Sequence, residues 1–191
     1  SKNTRIYISI KNFFSFDALK VKNILFKDNE FNVKKRNLSF FTNILNSNNS
    51  DNTIIFEDSI IFYKDISEDV IFLVDLNNLK FFYHLEKKYQ LIANYKIFNL
   101  PFKLNLNHNK EKNFFSFILE SKNIRLKIKN FFQYSNKNFN GNLEAQILND
   151  IKYFIYDIKN NSLSINSKDN NFKGEIDLRP FYLSLNLNFN E

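Results

Sequence analysis

The 191-residue chain contains no cysteine, methionine or tryptophan, and only two glycines and two prolines. Without cysteine it cannot form disulfides, thiolate zinc sites, iron–sulfur clusters or a cysteine nucleophile. Gly141 and Gly174 match neither a P-loop nor a dinucleotide-binding pattern, which excludes a glycine-rich phosphate loop. No run of about 18 apolar residues is present, so the sequence predicts no membrane-spanning helix.

Side chains that carry catalysis or bind metals are also scarce. His84 and His108 are the only histidines, and their spacing implies no third metal ligand. The acidic cluster at 65–69 lacks the glycine and the alternating carboxylates of a calcium loop, which favours a solvated turn. No serine lies in a nucleophile elbow. We therefore expect no enzymatic activity, no metal and no cofactor.

The formal net charge of +7 is unevenly distributed. Residues 37–79 contain one basic and seven acidic residues, whereas residues 80–139 contain twelve basic and three acidic ones. Proteins that bind nucleic acid usually gather lysine and arginine on one face, and this chain has only four arginines. Because an acidic block interrupts the basic ones, we predict no nucleic-acid binding and interpret the lysines as solvated.

Apolar residues are abundant, at 43% of the chain, and many alternate with polar ones. Alternation is clearest at residues 102–106, 123–129 and 183–189. Because successive side chains of a strand point to opposite faces, each segment predicts a strand with one apolar face. Adjacent aromatic pairs, such as Phe114-Phe115 and Phe131-Phe132, predict an aromatic on each side of the sheet. Further strands are predicted at 5–10, 19–26, 53–57, 59–64, 69–76, 79–86, 89–98, 113–120, 143–148, 152–158, 162–167 and 172–178.

Short polar segments separate these strands. Asn and Asp tolerate left-handed backbone, so they can replace glycine in hairpin turns. Turns are predicted at 28–29, 65–69, 77–78, 108–112, 135–138, 159–161 and 168–171. Strands that recur about every ten residues with such turns indicate a mostly β protein built as a long antiparallel meander. Parallel pairing would require crossovers of a dozen or more residues.

One segment, residues 37–47, has helical periodicity. Leu38, Phe41, Ile44 and Leu45 recur at three- and four-residue spacing, which predicts one short helix and a sub-boundary near residues 37–50. Pro101 and Pro180 lack an amide donor, so each is expected at a strand start, a bulge or an edge.

Four segments resemble a known family. Residues 52–65, 69–79, 91–102 and 172–183 are similar to the AsmA-like family of envelope proteins from diderm bacteria. The last segment contains a Gly-x-Ile-x-Leu-x-Pro-Phe element, from Gly174 to Phe181. The resemblance extends over residues 50–191 and contains no catalytic signature.

The resemblance implies a long, curved antiparallel sheet in the periplasm with an apolar groove related to that of bridge-like lipid-transfer proteins. The implied role is non-catalytic support of phospholipid transfer or outer-membrane assembly, with acyl chains or envelope proteins as partners. We expect residues 1–191 to be a segment of a larger β-rich chain, anchored to the inner membrane by a region outside this segment. The groove candidates are Phe102, Leu104, Leu106, Ile124, Leu126, Ile128, Leu183, Leu185, Leu187 and Phe189.

Alternation alone leaves other architectures open. A β-sandwich or adhesin-like binding module would bury the same residues between two sheets about 10 Å apart. Part of an outer-membrane barrel would alternate in the same way, although aromatic girdles at both ends are not clear in the sequence. The deciding observation is whether the candidate residues are covered by a second layer.

Overall fold

The computed structural model describes residues 3–8, 21–34, 53–65, 67–84, 88–135, 138–159, 162–178 and 181–187. The chain divides into two units, residues 1–105 and residues 106–191. The predicted helix at 37–47, the predicted sub-boundary at 37–50 and Pro180 lie outside the described residues.

The described residues form fourteen strands and no helix. The strands are β1 (Asn3–Ile8), β2 (Val21–Lys27), β3 (Glu30–Lys34), β4 (Thr53–Lys64), β5 (Val70–His84), β6 (Lys88–Ile97), β7 (Leu100–Asn109), β8 (Phe114–Ser121), β9 (Leu126–Ser135), β10 (Asn138–Ile147), β11 (Asp150–Lys159), β12 (Ser162–Ser167), β13 (Phe172–Leu178) and β14 (Phe181–Leu187). They hydrogen-bond in the order β1-β2-β4-β5-β6-β7-β8-β9-β10-β11-β12-β13-β14, and β3 pairs with β4.

The prediction of a mostly β meander is confirmed. The pairs β4–β5 and β5–β6, and every neighbouring pair from β8 to β14, are antiparallel. Pro101 is the second residue of β7, so it lies at a strand start as expected. Most of the predicted polar turns lie at the junctions between consecutive strands. They include the turns predicted at 65–69, 108–112, 135–138, 159–161 and 168–171.

Two predicted strand breaks are wrong. Residues 53–57 and 59–64 form one strand, β4, and residues 69–76 and 79–86 both contribute to β5. The register between β4 and β5 pairs Glu57 with Asn78 and Ser59 with Leu76, so Asp58 and Asn77 are passed over. The extra residue on each strand shifts the alternation by one position, which keeps apolar side chains on the same face. The sequence pattern therefore looks interrupted although the strands are continuous.

The purely antiparallel prediction is also wrong at one place, because β4 has two parallel partners. β2 pairs in parallel with residues 53–57, and β3, which was not predicted, pairs in parallel with residues 60–64. β5 occupies the other edge of β4, so β2 and β3 lie end to end along one edge. The connection from β3 to β4 spans residues 35–52, which is long enough for a parallel crossover.

Buried polar groups join β2 and β3 at this edge. Asn29 is almost fully buried, and its Nδ2 donates to the carbonyl oxygens of Asn3, at 3.2 Å, and Lys27, at 3.0 Å. Its backbone N–H donates to Ser59 Oγ at 3.3 Å, and Ser59 Oγ donates to the Glu57 carbonyl at 2.8 Å. These bonds give partners to polar groups that the break between the two strands would otherwise leave unpaired.

Non-glycine residues provide the left-handed backbone, and neither glycine has a positive φ. Asp28, Asp58, Asn99, Asn113 and Asn170 have φ between 46° and 63°, in agreement with the predicted use of Asn and Asp. Four bulkier residues also have positive φ, which costs more for such side chains: Glu68, Phe98, Arg125 and Leu148.

The fully buried apolar side chains of the described residues all belong to unit 1. They are Val33, Leu76, Tyr89 and Ala93. Nearby, Phe26 stacks on Phe56 with ring centroids 5.0 Å apart. This core is small for a chain in which 43% of the residues are hydrophobic.

Gly141 is required by the close approach of its neighbours in unit 2. A Cβ at this position would lie 2.6 Å from the Tyr156 ring and 2.7 Å from the Phe131 carbonyl oxygen. At Gly174 a Cβ would lie 3.1 Å or more from the nearest side-chain atoms, which are the ends of Ile165 and Leu185.

We predict that Gly141→Ala lowers the free energy of unfolding by about 1–3 kcal/mol, since a backbone atom cannot move away as a side chain can. Gly174→Ala is the matched control, and its effect should be within about 1 kcal/mol of zero because the neighbouring methyl groups can shift. Urea denaturation of both variants measures the difference. Equal effects would contradict the steric role assigned to Gly141.

Candidate functional site

The register divides the residues of unit 2 between two faces of the sheet. Ile128 pairs with Leu119 on one side and with Ala145 on the other, and paired residues share a face. We call the side of β8–β14 that carries Leu126 and Ile128 the apolar face of unit 2. Its apolar members with described side chains include Phe115, Phe117, Leu119, Leu126, Ile128, Phe132, Phe139, Leu143, Phe154, Ile158, Leu163, Ile165, Ile176, Leu183 and Leu185.

Most of the predicted groove residues lie on one side of their own strand, at alternate positions. Leu126, Ile128, Leu183 and Leu185 belong to the apolar face of unit 2. Leu106 shares one side of β7 with His108, whose ring stacks on Phe115 of that face. Phe102 and Leu104 are on the same side of β7 as Leu106, in unit 1. The backbone of Leu187 pairs with Phe172, in step with Leu183 and Leu185.

Two predicted groove residues do not join this set. Ile124 lies in the turn between β8 and β9, because β9 begins at Leu126 and not at residue 123. The alternation at 123–129 continues through part of this turn, so the sequence pattern extended the strand too far. Phe189 lies outside the described residues.

Polar side chains and ion pairs occupy much of the opposite face of unit 2. Lys127 pairs with Glu120 at 2.6 Å, and Lys129 pairs with Glu144 at 2.7 Å, each with a residue directly across the strand pair. The hydrogen bond to Glu144 raises the pKa of Lys129. The two faces therefore differ in chemical character along β8–β10.

Nothing in the described part of unit 2 covers the apolar face as a core would. No apolar side chain there is fully buried, and Leu183 and Leu185 are 47% and 52% exposed. The strands of unit 2 that the structure describes all belong to one hydrogen-bonded series, whereas a sandwich core needs two packed layers. A single layer with one apolar face leaves that face available to a ligand or a partner.

Two pairs of polar side chains on the apolar face form hydrogen bonds across the strands. His108, which is 1% exposed, has its Nε2 2.9 Å from the hydroxyl of Tyr134, and its ring lies 3.8 Å from that of Phe115. The Tyr156 hydroxyl donates to Asn130 Oδ1 at 2.9 Å. Burial raises the pKa of Tyr156. These hydrogen bonds pair His108 Nε2 and the Tyr156 hydroxyl, so those two atoms need no water when hydrocarbon covers the face.

His108 is uncharged at neutral pH. Burial, assisted by the positive charge of Lys110, lowers its pKa from an ordinary value of 6.5 to about 4. Periodicity could not reveal the burial, since it comes from Phe115 and Tyr134 on other strands.

The aromatic pairs behave as predicted. Phe115 stacks on Phe132 with centroids 5.1 Å apart on the apolar face, and Phe114 stacks on Phe131 with centroids 6.4 Å apart on the other. Phe115 and Phe132 belong to the apolar face but are not among the predicted groove residues. The aromatic dipeptides in the sequence could have identified them.

Over the described ranges, three or more metal-ligating side chains do not come together. The same residues include no helix that is long and apolar enough to cross a membrane. Comparisons with protein-family models, curated proteins and solved structures each find no match to this chain.

The buried His108 predicts a specific pH dependence of stability. Because its folded-state pKa lies below its unfolded-state value, the unfolded chain binds the proton more tightly. The free energy of unfolding should fall by on the order of 3 kcal/mol as the pH drops from about 6.5 to about 4. Urea denaturation at half-unit pH steps measures this.

His108→Phe is the control, since it keeps a ring against Phe115 and removes the titrating group. Its unfolding free energy should vary less over the same pH range. Asp169, whose pKa the Ser167 hydroxyl and the Asn171 amide lower to about 2, affects stability only at lower pH. An unchanged pH slope in His108→Phe would show that His108 is not the responsible group.

Proposed function

We propose that the apolar face of unit 2 binds the acyl chains of phospholipids and that the protein supports lipid transfer without catalysis. The observation that carries the proposal is the uncovered apolar face, with half-exposed leucines on β14 and paired polar groups on β7–β11. Removing such a surface from water is favourable by about 25 cal/mol per Å². A lipid tail can provide that cover without directional bonds.

The dimensions of the face suit an acyl chain. The seven strands β8–β14 are separated by six spacings, which together span roughly 29 Å at the usual interstrand distance. One leaflet of a bilayer core is roughly 15 Å thick, so a single tail is shorter than this span. A tail lying across the strands could follow one row of paired residues that is aromatic or aliphatic except at its two glycines. The row is Phe115, Phe132, Gly141, Tyr156, Ile165, Gly174 and Leu185.

The resemblance to the AsmA-like family supports the wider role. On this resemblance, the protein lies in the periplasm and is anchored at the inner membrane through a region outside these residues. It supports phospholipid transfer or outer-membrane assembly there. The support for these parts comes from residues 52–65, 69–79, 91–102 and 172–183, which resemble the family.

A second candidate function is protein binding by the opposite side of β11. Ile151, Tyr153 and Ile155 are on that side and are 44–50% exposed. An exposed row of this kind is typical of a protein interface. In this second candidate function, a partner protein on the opposite side of β11 replaces lipid as the ligand.

Charge substitutions on the two faces separate these candidates. We predict that Leu183→Asp and Leu185→Asp reduce co-purified or added phospholipid by at least about tenfold, since a buried carboxylate without a partner costs several kcal/mol. The measurement is mass spectrometry of lipid extracted from the purified 191-residue chain after incubation with phospholipid vesicles.

Ile151→Asp and Ile155→Asp are the matched controls, because their exposure of 45% and 50% is close to that of the two leucines. They should leave bound lipid unchanged. Loss of lipid in the controls alone would assign lipid to the opposite face. Equal lipid in all four variants and the parent chain would contradict acyl binding by the apolar face.

A further inference from the structure

A cleft of about 360 Å³ lies at the end of unit 2 where the β8–β9 and β10–β11 turns come together. β8, β9 and the turn between them supply most of its lining, while Gln146 and Leu148 close it from the second hairpin. The Leu148 amide donates to the Arg125 carbonyl at 2.9 Å, which joins the two turns. The cleft is large enough for a small polar group and too small to enclose a long acyl chain.

The charges around the cleft are predominantly positive. Lys122, Arg125 and Lys127 contribute three cations, and Glu120 is the only carboxylate in the lining. Glu120 pairs with Lys127 at 2.6 Å, so these two charges offset each other. Lys122 and Arg125 form no ion pair with any residue that the structure describes. Two cations therefore remain available to an anion.

Ser121 provides an independent indication of a ligand. It is 2% exposed and lines the cleft, yet its Oγ has no hydrogen-bond partner among the described residues. A buried hydroxyl without a partner is unfavourable by about 1–3 kcal/mol. An oxyanion in the cleft would accept a hydrogen bond from it.

We propose that this cleft binds a phosphate ester through Arg125, Lys122 and the Ser121 hydroxyl. Arginine suits this role because its planar guanidinium can donate two parallel hydrogen bonds to phosphate oxygens. Leu126 lines the cleft and also belongs to the apolar face. The inference rests on the proposed lipid function, in that the phosphate of a phospholipid headgroup would occupy the cleft while its tail lies on that face.

Isothermal titration calorimetry with two probes tests the site. The probes are inorganic phosphate and a water-soluble phosphatidylglycerol with two six-carbon tails, both at low ionic strength. The parent chain should bind the phospholipid more tightly than inorganic phosphate. Arg125→Gln and Lys122→Gln should each weaken phospholipid binding by about tenfold or more, as expected for loss of a charge-assisted hydrogen bond.

Lys103→Gln, which removes the same charge from β7 outside the cleft, is the control and should bind both probes as the parent does. Ser121→Ala should weaken binding while leaving the thermal unfolding midpoint unchanged or raised, since it removes an unpaired buried hydroxyl. A lowered midpoint without any change in binding would overturn the role of Ser121. Circular dichroism establishes that each variant is folded.

The outcomes distinguish this site from the acyl-chain proposal. Phospholipid binding that is equal in the parent, Arg125→Gln and Lys122→Gln would refute the cleft and leave acyl binding intact. Inorganic phosphate bound as tightly as the phospholipid, and lost in Arg125→Gln, would support the cleft for a free phosphate and count against the acyl chain. Absence of binding by either probe would refute both.

Discussion

The cross-strand hydrogen-bond register is the constraint on which the rest of this structure depends. Because side chains alternate with a period of two, a slip of one residue would move every apolar side chain of a strand to the other face. The register therefore creates the apolar face of unit 2 and places the Lys127–Glu120 and Lys129–Glu144 ion pairs on the opposite face. In unit 1, the extra residues at Asp58 and Asn77 keep apolar side chains on one face where the alternation in the sequence shifts by one position.

A single layer also explains the energetics of the polar groups on the apolar face. In a two-layer core, groups from a facing sheet could satisfy them, but here their partners must come from the same side of the same sheet. His108 on β7 forms a hydrogen bond with Tyr134 on β9, and Asn130 on β9 accepts one from Tyr156 on β11. In each case the partner is two strands away. These hydrogen bonds pair the hydroxyls of Tyr134 and Tyr156, whose rings belong to the apolar face.

The sequence predicts this fold well where alternation is strict and less well elsewhere. β12 and β13 have the predicted bounds, and most groove candidates share a face, because both follow from the two-residue period alone. The parallel pairing of β2 and β3 with β4 was missed, since partner choice between distant strands leaves no local pattern. Ser121 could not be recognised as a candidate, because alternation does not reveal that its side chain is buried or that its hydroxyl has no partner among the described residues.

The meander order also affects how the number of strands in such a sheet can change during evolution. Each strand from β9 to β13 bonds only to its neighbours in sequence, so stability is assembled from successive local contacts. Removing a whole hairpin, such as β10–β11, would leave β9 and β12 with opposite directions and matching apolar sides. Loss or duplication of two-strand units is therefore a route by which this sheet can become shorter or longer without redesign of the remaining strands.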